Sequence, residues 1–328
     1  MSKKMIHSIS ILVVILTVFI SACGGGTKDK VTMQFSWLHQ IEYTGFYLAA
    51  EKGFYAEENI DITLLPGGPG IDPMLEVTEG RAQFGLTRGA SLVKERAAGQ
   101  DVLAIGTVFR TDPLVIMSLA DSNISTPQDL AGKTVGIENG DLNNFREIQF
   151  IAMMKKLGVD INSITFVARD FQDPLGELQT KGTDAITGLF ATNDLVTANL
   201  KGGGVNAIYY SDYGVGFYAN AIFATNPFLN ENPDLARRFM RATLRGYQYA
   251  LEHTDEAVAA TLKYDETLDA AIQTEQMKAQ IPLIDTGDQP IGWMNADVWQ
   301  NTVDILLDAG FIPSTMDVET LFTNDYMK

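Results

Sequence analysis

The chain has 328 residues with 46% apolar content, one cysteine, three histidines and a formal net charge of −17, from 41 acidic and 24 basic side chains. This balance excludes nucleic acid as a partner, because phosphate binding needs a basic face, and it excludes polybasic attachment to anionic lipid. The length suffices for two lobes with separate cores, and a lone cysteine excludes an internal disulfide.

Lys3 and Lys4 precede an almost unbroken apolar run from Ile9 to Ile20, followed by Ser21-Ala22-Cys23-Gly24-Gly25-Gly26. A charged start, an apolar centre and small residues at a cut site predict an export signal over residues 1–22. The run is shorter than the roughly 18 apolar residues that a membrane span needs. The tetrad Ile20-Ser21-Ala22-Cys23 closely resembles the lipobox of bacterial lipoproteins. That resemblance implies cleavage before Cys23 and attachment of a diacylglycerol to its thiol, a soft nucleophile, which anchors a soluble body to a membrane. Residues 23–30, glycine-rich and then polar, read as the lipidated, flexible tether.

Val31–Trp37 alternates as a strand, Gly45–Lys52 reads as a helix stopped by Gly53, and Ile60–Leu65 alternates again before the turn Pro66-Gly67-Gly68-Pro69-Gly70. A short helix over Pro73–Glu79, a strand over Gln83–Thr87, a helix over Ser91–Ala98 and a β-like run over Val102–Arg110 follow. A second unit starts near Ser118. It opens with a helical turn at Thr126–Leu130, and its strands are Lys133–Ile137, Ile164–Ala168, Asp184–Leu189 and Ala207–Tyr210. Its helices are Phe145–Leu157, Pro174–Lys181 and Asn193–Leu200. Phe217–Ala224 reads as a strand returning to the first unit. Helices Pro233–Glu252, Asp255–Tyr264, Leu268–Ile281 and Asn295–Ala309 complete the chain, the last stopped by Gly310. The alternation predicts an α/β fold with mainly parallel sheets.

The segment Trp37…Gly45-Phe-Tyr-Leu-Ala-Ala-Glu-Lys-Gly53-Phe-Tyr-Ala-Glu-Glu-Asn-Ile-Asp61 closely resembles the opening of solute-binding proteins related to the thiamine-pyrimidine synthases. Gln83-Phe-Gly-Leu, Asp129-Leu-Ala-Gly-Lys133-Thr-Val-Gly-Ile137, Asn232-Pro233 and Met294-Asn-Ala-Asp-Val-Trp299 match further along, so the resemblance spans nearly the whole exported chain. It implies a periplasmic-binding-protein fold of the second type, two lobes joined by two hinge crossings, with a ligand trapped between them. Lobe one is then residues 31–117 plus 217–328 and lobe two residues 118–216, with crossings near Thr111–Met117 and Gly214–Ala221. Ligands in open α/β sheets sit at the carboxyl ends of strands, which agrees.

Trp37 directly follows the first strand, and its large π-face suits a planar heterocycle; in the resembling proteins an aromatic at this position stacks on the pyrimidine. Tyr43 offers a ring or a hydroxyl. Gly68 offers close backbone approach. Arg88, Gly89 and Ser91 stand where a strand ends and a helix begins, with free N–H groups and the helix dipole. Asn139 and Asp141 occupy the matching turn of lobe two, where family members place polar contacts. Phe190 ends another lobe-two strand and departs from the polar residue common in relatives, which suits a larger or more apolar ligand. Tyr218 and Asn220 lie two apart on the return crossing, on one face of an extended chain.

The resembling synthases consume their own residues with iron and a cysteine-rich segment. Here no cysteine cluster, no His-x-x-x-His and no Gly-x-Ser-x-Gly occurs. The sequence therefore predicts a binder rather than an enzyme, with no catalytic residues, no metal site and no cofactor. It would be a monomeric, extracytoplasmic receptor held at the membrane by lipid on Cys23, serving an ABC permease. The expected ligand is a thiamine pyrimidine precursor, with riboflavin as the alternative. A sulfonate- or nitrate-type binder would want more cationic donors than Arg88 offers nearby.

Overall fold

The computed structural model describes residues 27–142, 147–169, 173–180 and 182–327. The export signal and Cys23 lie outside the described residues, as do Phe145 and Lys181 at the ends of two expected helices. The chain opens with β1 (Asp29–Gln34), α1 (Thr44–Glu51), α2 (Phe54–Glu57), β2 (Ile60–Leu65), α3 (Pro73–Thr78), β3 (Phe84–Thr87), α4 (Gly89–Ala97) and β4 (Val102–Thr107). It crosses to β5 (Leu114–Leu119), β6 (Thr134–Ile137), α5 (Ile148–Lys156), β7 (Thr165–Ala168), α6 (Pro174–Gln179), β8 (Ala185–Phe190), α7 (Val196–Leu200) and β9 (Val205–Tyr209). It returns to β10 (Ala221–Thr225) and ends with α8 (Asn226–Glu231), α9 (Pro233–Glu252), α10 (Thr254–Tyr264), α11 (Ala270–Ile284) and α12 (Ala296–Ala309).

Two five-stranded sheets result, in the orders β2-β1-β3-β10-β4 and β7-β6-β8-β5-β9. In each sheet one strand, β10 or β5, runs against the other four. Those two are the strands that arrive from the other lobe, so each enters its sheet from the cleft side. The sequence placed the start of the second unit near Ser118 and read Thr111–Met117 as a crossing. The second sheet instead begins at Leu114, and the crossing is the shorter segment before it. The reason is physical: Leu114–Met117 is apolar throughout and forms an interior strand between β8 and β9, buried on both faces.

The first lobe is held by α9. Its buried residues Ala236, Phe239, Met240, Thr243, Gly246, Tyr247 and Ala250 recur at three- and four-residue steps and form one apolar face. Gly246 lets this helix touch α1, since a Cβ there would lie 2.0 Å from the Gly45 carbonyl oxygen. Phe84 stacks on Phe239 at 3.9 Å between ring centroids, and Phe35 stacks on Tyr43 at 4.2 Å. A separate core continues from one lobe into the other, joining Trp299, Val303 and Leu306 of α12 to Phe150, Met153 and Met154 of α5.

The crossings are tied by one buried carboxylate. Asp112 accepts from the Leu114 N–H and the Phe217 N–H, each at 3.0 Å, and from the Gln149 amide. Gln149 also donates to the Val215 carbonyl at 2.6 Å. The outgoing strand, the returning strand and α5 thus share a single polar hub. Burial pushes the Asp112 carboxyl up from its ordinary range, and the hydrogen bonds oppose that shift.

Candidate functional site

The carboxyl ends of the parallel strands meet at a cavity between the lobes. Lobe one contributes Ser36, Trp37, Gln40 and Glu42 beyond β1, Thr87 and Arg88 at the end of β3, and Ala219 and Asn220 from the return crossing. Lobe two contributes Arg169 beyond β7, Leu189 and Phe190 at the end of β8, and Asn193 and Asp194 just after it.

Trp37 is half-buried at the edge of this cavity. Its backbone is fixed from behind, because the Gly67 N–H donates to the Trp37 carbonyl at 2.8 Å. Gly67 must be glycine for this, since a Cβ there would fall 2.5 Å from the Phe35 carbonyl oxygen. Phe190, the aromatic that lobe two brings to the same cavity, makes an edge-to-face contact with Phe109 at 6.2 Å. The Arg88 guanidinium of lobe one lies over the Phe190 ring at 5.8 Å, a cation–π contact across the cleft.

The polar lining is unusually buried for charged groups. Arg88 is only 8% exposed and Glu42 1%. Burial pulls the Arg88 guanidinium down from its ordinary range, opposed mainly by Glu147. Burial pushes Glu42 up, and the neighbouring Asp194 adds to that. Asp194 is pushed up by burial too, although it accepts the Phe190 N–H at 2.8 Å. Behind the cavity Glu147 accepts the Glu138 N–H at 3.2 Å, and Arg169 donates to the Thr187 carbonyl at 3.2 Å. Among the described residues, no group of three or more His, Cys, Asp or Glu side chains is placed to hold a metal ion.

One flank of the cavity is bridged by α11. Gln276 donates to the Asn193 carbonyl at 3.2 Å and to Thr197 Oγ1 at 3.0 Å, so it reaches from lobe one into lobe two. Gln273 accepts the Ile41 N–H at 3.0 Å, and Gln280 donates to the Ile41 carbonyl at 3.1 Å. Three buried glutamines thereby hold the backbone next to Glu42 and the turn that carries Asn193.

Of the residues singled out from the sequence, Trp37, Arg88, Phe190 and Asn220 line the cavity. The others lie elsewhere. Tyr43 is fully buried in the aromatic core, its hydroxyl 3.2 Å from Ser36 Oγ, so it supports a lining residue from behind. Gly68 faces Leu38, and the close approach in its turn serves the chain's own backbone rather than a ligand. The Gly89 N–H, expected to be free, donates to the Tyr218 carbonyl at 2.7 Å. Ser91 is buried within the first turn of α4 and does not line the cavity. Asn139 and Asp141 are exposed, with Asn139 in the left-handed conformation at φ 55°, while their neighbour Glu138 is the buried member of that turn. Tyr218 turns away from the cleft to pack against Trp299, and its hydroxyl accepts the Asn295 N–H at 2.7 Å. Tyr218 and Asn220 therefore do not share a face. Asn193, read with Phe190 as ending that lobe-two strand, lines the cavity too. Arg169 and Asp194 were not among the sequence candidates; the one signal for them was their position just past a strand end.

Fold and cleft together define a two-lobed binding protein of the periplasmic type. The model of the family described as "NMT1/THI5 like" matches residues 40–257, and the chain belongs to that family. Among its relatives is the riboflavin-binding protein RibY of Chloroflexus aurantiacus, 26% identical over 92% of this chain and 87% of that protein. The formylaminopyrimidine-binding protein of Halalkalibacterium halodurans is 25% identical over 98% of this chain and 99% of its own. A 4-amino-5-hydroxymethyl-2-methylpyrimidine phosphate synthase of Legionella pneumophila is 26% identical over 70% of this chain and 72% of its own. In structure the chain is similar to the periplasmic aliphatic sulphonate binding protein SsuA of Escherichia coli, with a TM-score of 0.70 at 18% identity, covering 92% of this chain and 99% of that one.

Proposed function

We propose that this protein is the extracytoplasmic receptor of an ABC importer and captures a planar nitrogen heterocycle between its lobes without transforming it. The observation that carries this reading is the pairing of Trp37 and Phe190, one aromatic from each lobe, on a single cavity. Stacking surfaces supplied by both lobes make ligand capture and lobe closure one event. The ligand is a pyrimidine of the thiamine-precursor type, in line with the relative that binds formylaminopyrimidine. Riboflavin is the second reading, favoured by the relative RibY and by the apolar wall that Phe190 gives to lobe two.

The test is to purify the chain from residue 24 onward, denature it and identify co-purified small molecules by mass spectrometry. A pyrimidine or a flavin supports the reading, and a sulfonate overturns it. Calorimetry with either compound should show saturable binding without consumption; steady turnover would make the protein an enzyme. The lipid anchor rests on the tetrad ending in Cys23. Cys23→Ser should move the full chain out of the detergent phase in phase partitioning, and an unchanged distribution would remove the anchor.

A further inference from the structure

Two asparagines face the cavity from opposite lobes, and each is only partly satisfied. Asn220 is 1% exposed and Asn193 is 7% exposed. Asn220 Oδ1 accepts from Ser36 Oγ at 3.5 Å, while its Nδ2 has no hydrogen-bond partner among the described residues. Asn193 Nδ2 donates to Glu42 Oε2 at 3.5 Å, while its Oδ1 has no partner among the described residues. A buried polar atom without a partner is costly, so such atoms call for an explanation. Both side chains sit on a fixed backbone. The Asn220 carbonyl accepts the Val108 N–H at 2.9 Å, and the Asn193 carbonyl accepts from Thr197 Oγ1 at 2.8 Å and from Gln276. Their directions are thus set before any ligand arrives.

We infer that Asn220 Nδ2 and Asn193 Oδ1 are the specificity pair of this site, the first donating to an acceptor on the ligand rim and the second accepting from an N–H of the same ligand. The inference rests on the heterocycle reading above and narrows it. The ligand carries both a ring or carbonyl acceptor and an N–H donor, as a lactam or an amino-substituted ring nitrogen does. Because one asparagine belongs to each lobe, a ligand satisfies both only when the lobes are together. A ring of the same size lacking either group leaves a buried amide atom unpaired and is rejected.

The experiment is calorimetry of the exported chain with riboflavin and with formylaminopyrimidine. Asn220→Asp keeps the oxygen that Ser36 uses and replaces the donor by a second acceptor oxygen; Asn193→Leu removes the acceptor together with the donor that Glu42 uses. For whichever compound the parent binds, each variant should weaken affinity about 10- to 100-fold at a temperature where circular dichroism shows it folded. Affinity within twofold of the parent in both variants overturns the pair and leaves the receptor reading intact. Where a variant fails to fold, the parent decides: methylating the ligand's N–H must cost the same factor, and no loss overturns the inference. If the parent binds neither compound, the choice of heterocycle falls instead. In that case 2-pyridone, a minimal lactam, is titrated against the side-chain amide signals of Asn193 and Asn220 by NMR. Shifts that N-methyl-2-pyridone fails to produce uphold the pair, and their absence overturns it.

Discussion

The two walls of the cleft are backed by different physics. Behind Trp37 stands a dry aromatic stack in which Phe35 meets Tyr43, Phe46 and Tyr47 within 6 Å. Behind Arg169 and Phe190 stands a buried polar cluster of Glu138, Glu147, Thr187 and Tyr210, with Thr187 and Tyr210 hydroxyls 2.6 Å apart. An aromatic stack is close-packed and has one arrangement. A buried charged cluster is held by directional bonds whose strength depends on every member being present. One wall is therefore a fixed platform, and the other is tuned by charge.

Substitutions that strike each wall separately sharpen this contrast. Phe35→Ala, which removes the centre of the stack, should cost about 3–5 kcal/mol in denaturant unfolding; a loss below about 1 kcal/mol would show the platform to be loosely packed. Glu147→Gln keeps an acceptor for the Glu138 N–H but removes the charge near Arg88 and Arg169. It should cost about 1–3 kcal/mol, and a neutral result would mean the cluster holds no net charge pairing. Trp37→Ala should leave the melting transition in place, because the ring is only half-buried, yet weaken heterocycle binding about tenfold or more. Equal loss of stability and affinity would place Trp37 in the core instead.

The smallest effect concerns pH. Burial raises the Glu42 carboxyl above its ordinary value of 4.5. The folded chain then holds that proton more tightly than the unfolded chain, so the cost of burying the charge is present above the raised value. It is relieved as pH falls toward 4.5 and is gone below it. Glu42→Gln should flatten this part of the stability profile, raising stability mainly at the alkaline side. A parent and variant with parallel profiles from about pH 5 to about pH 8 would show that Glu42 is solvated.

Much of the architecture was legible because it is local. The face of α9, the glycine stops and the strand–helix alternation are written in residue spacing. The strand Leu114–Leu119 was not, because an apolar run gives no period to separate a hinge from a strand buried on both faces. Trp37 and Phe190 were legible as aromatics at strand ends. Arg169 was not, since an arginine after a strand reads as solvated until Thr187 and the acids behind it are folded around it. The turn at Asn139 misled for the opposite reason: its residues look like ligand groups, but a left-handed backbone and exposure give them the ordinary work of reversing the chain. The glutamines of α11 have the composition of a surface, and nothing nearby in the sequence announces that they are buried.

That glutamine row sets a timescale. Opening the cleft on the α11 side breaks the two hydrogen bonds that Gln276 makes to lobe two, at a net cost of about 0.5–1.5 kcal/mol each. Such an amount slows separation by roughly one to two powers of ten without preventing it. A receptor that hands its ligand on, as proposed above, needs a residence longer than a diffusive encounter but shorter than a permanent complex. Gln276 does not itself line the cavity, so it bears on that dwell through its bonds to Asn193 and Thr197 rather than by touching a bound molecule.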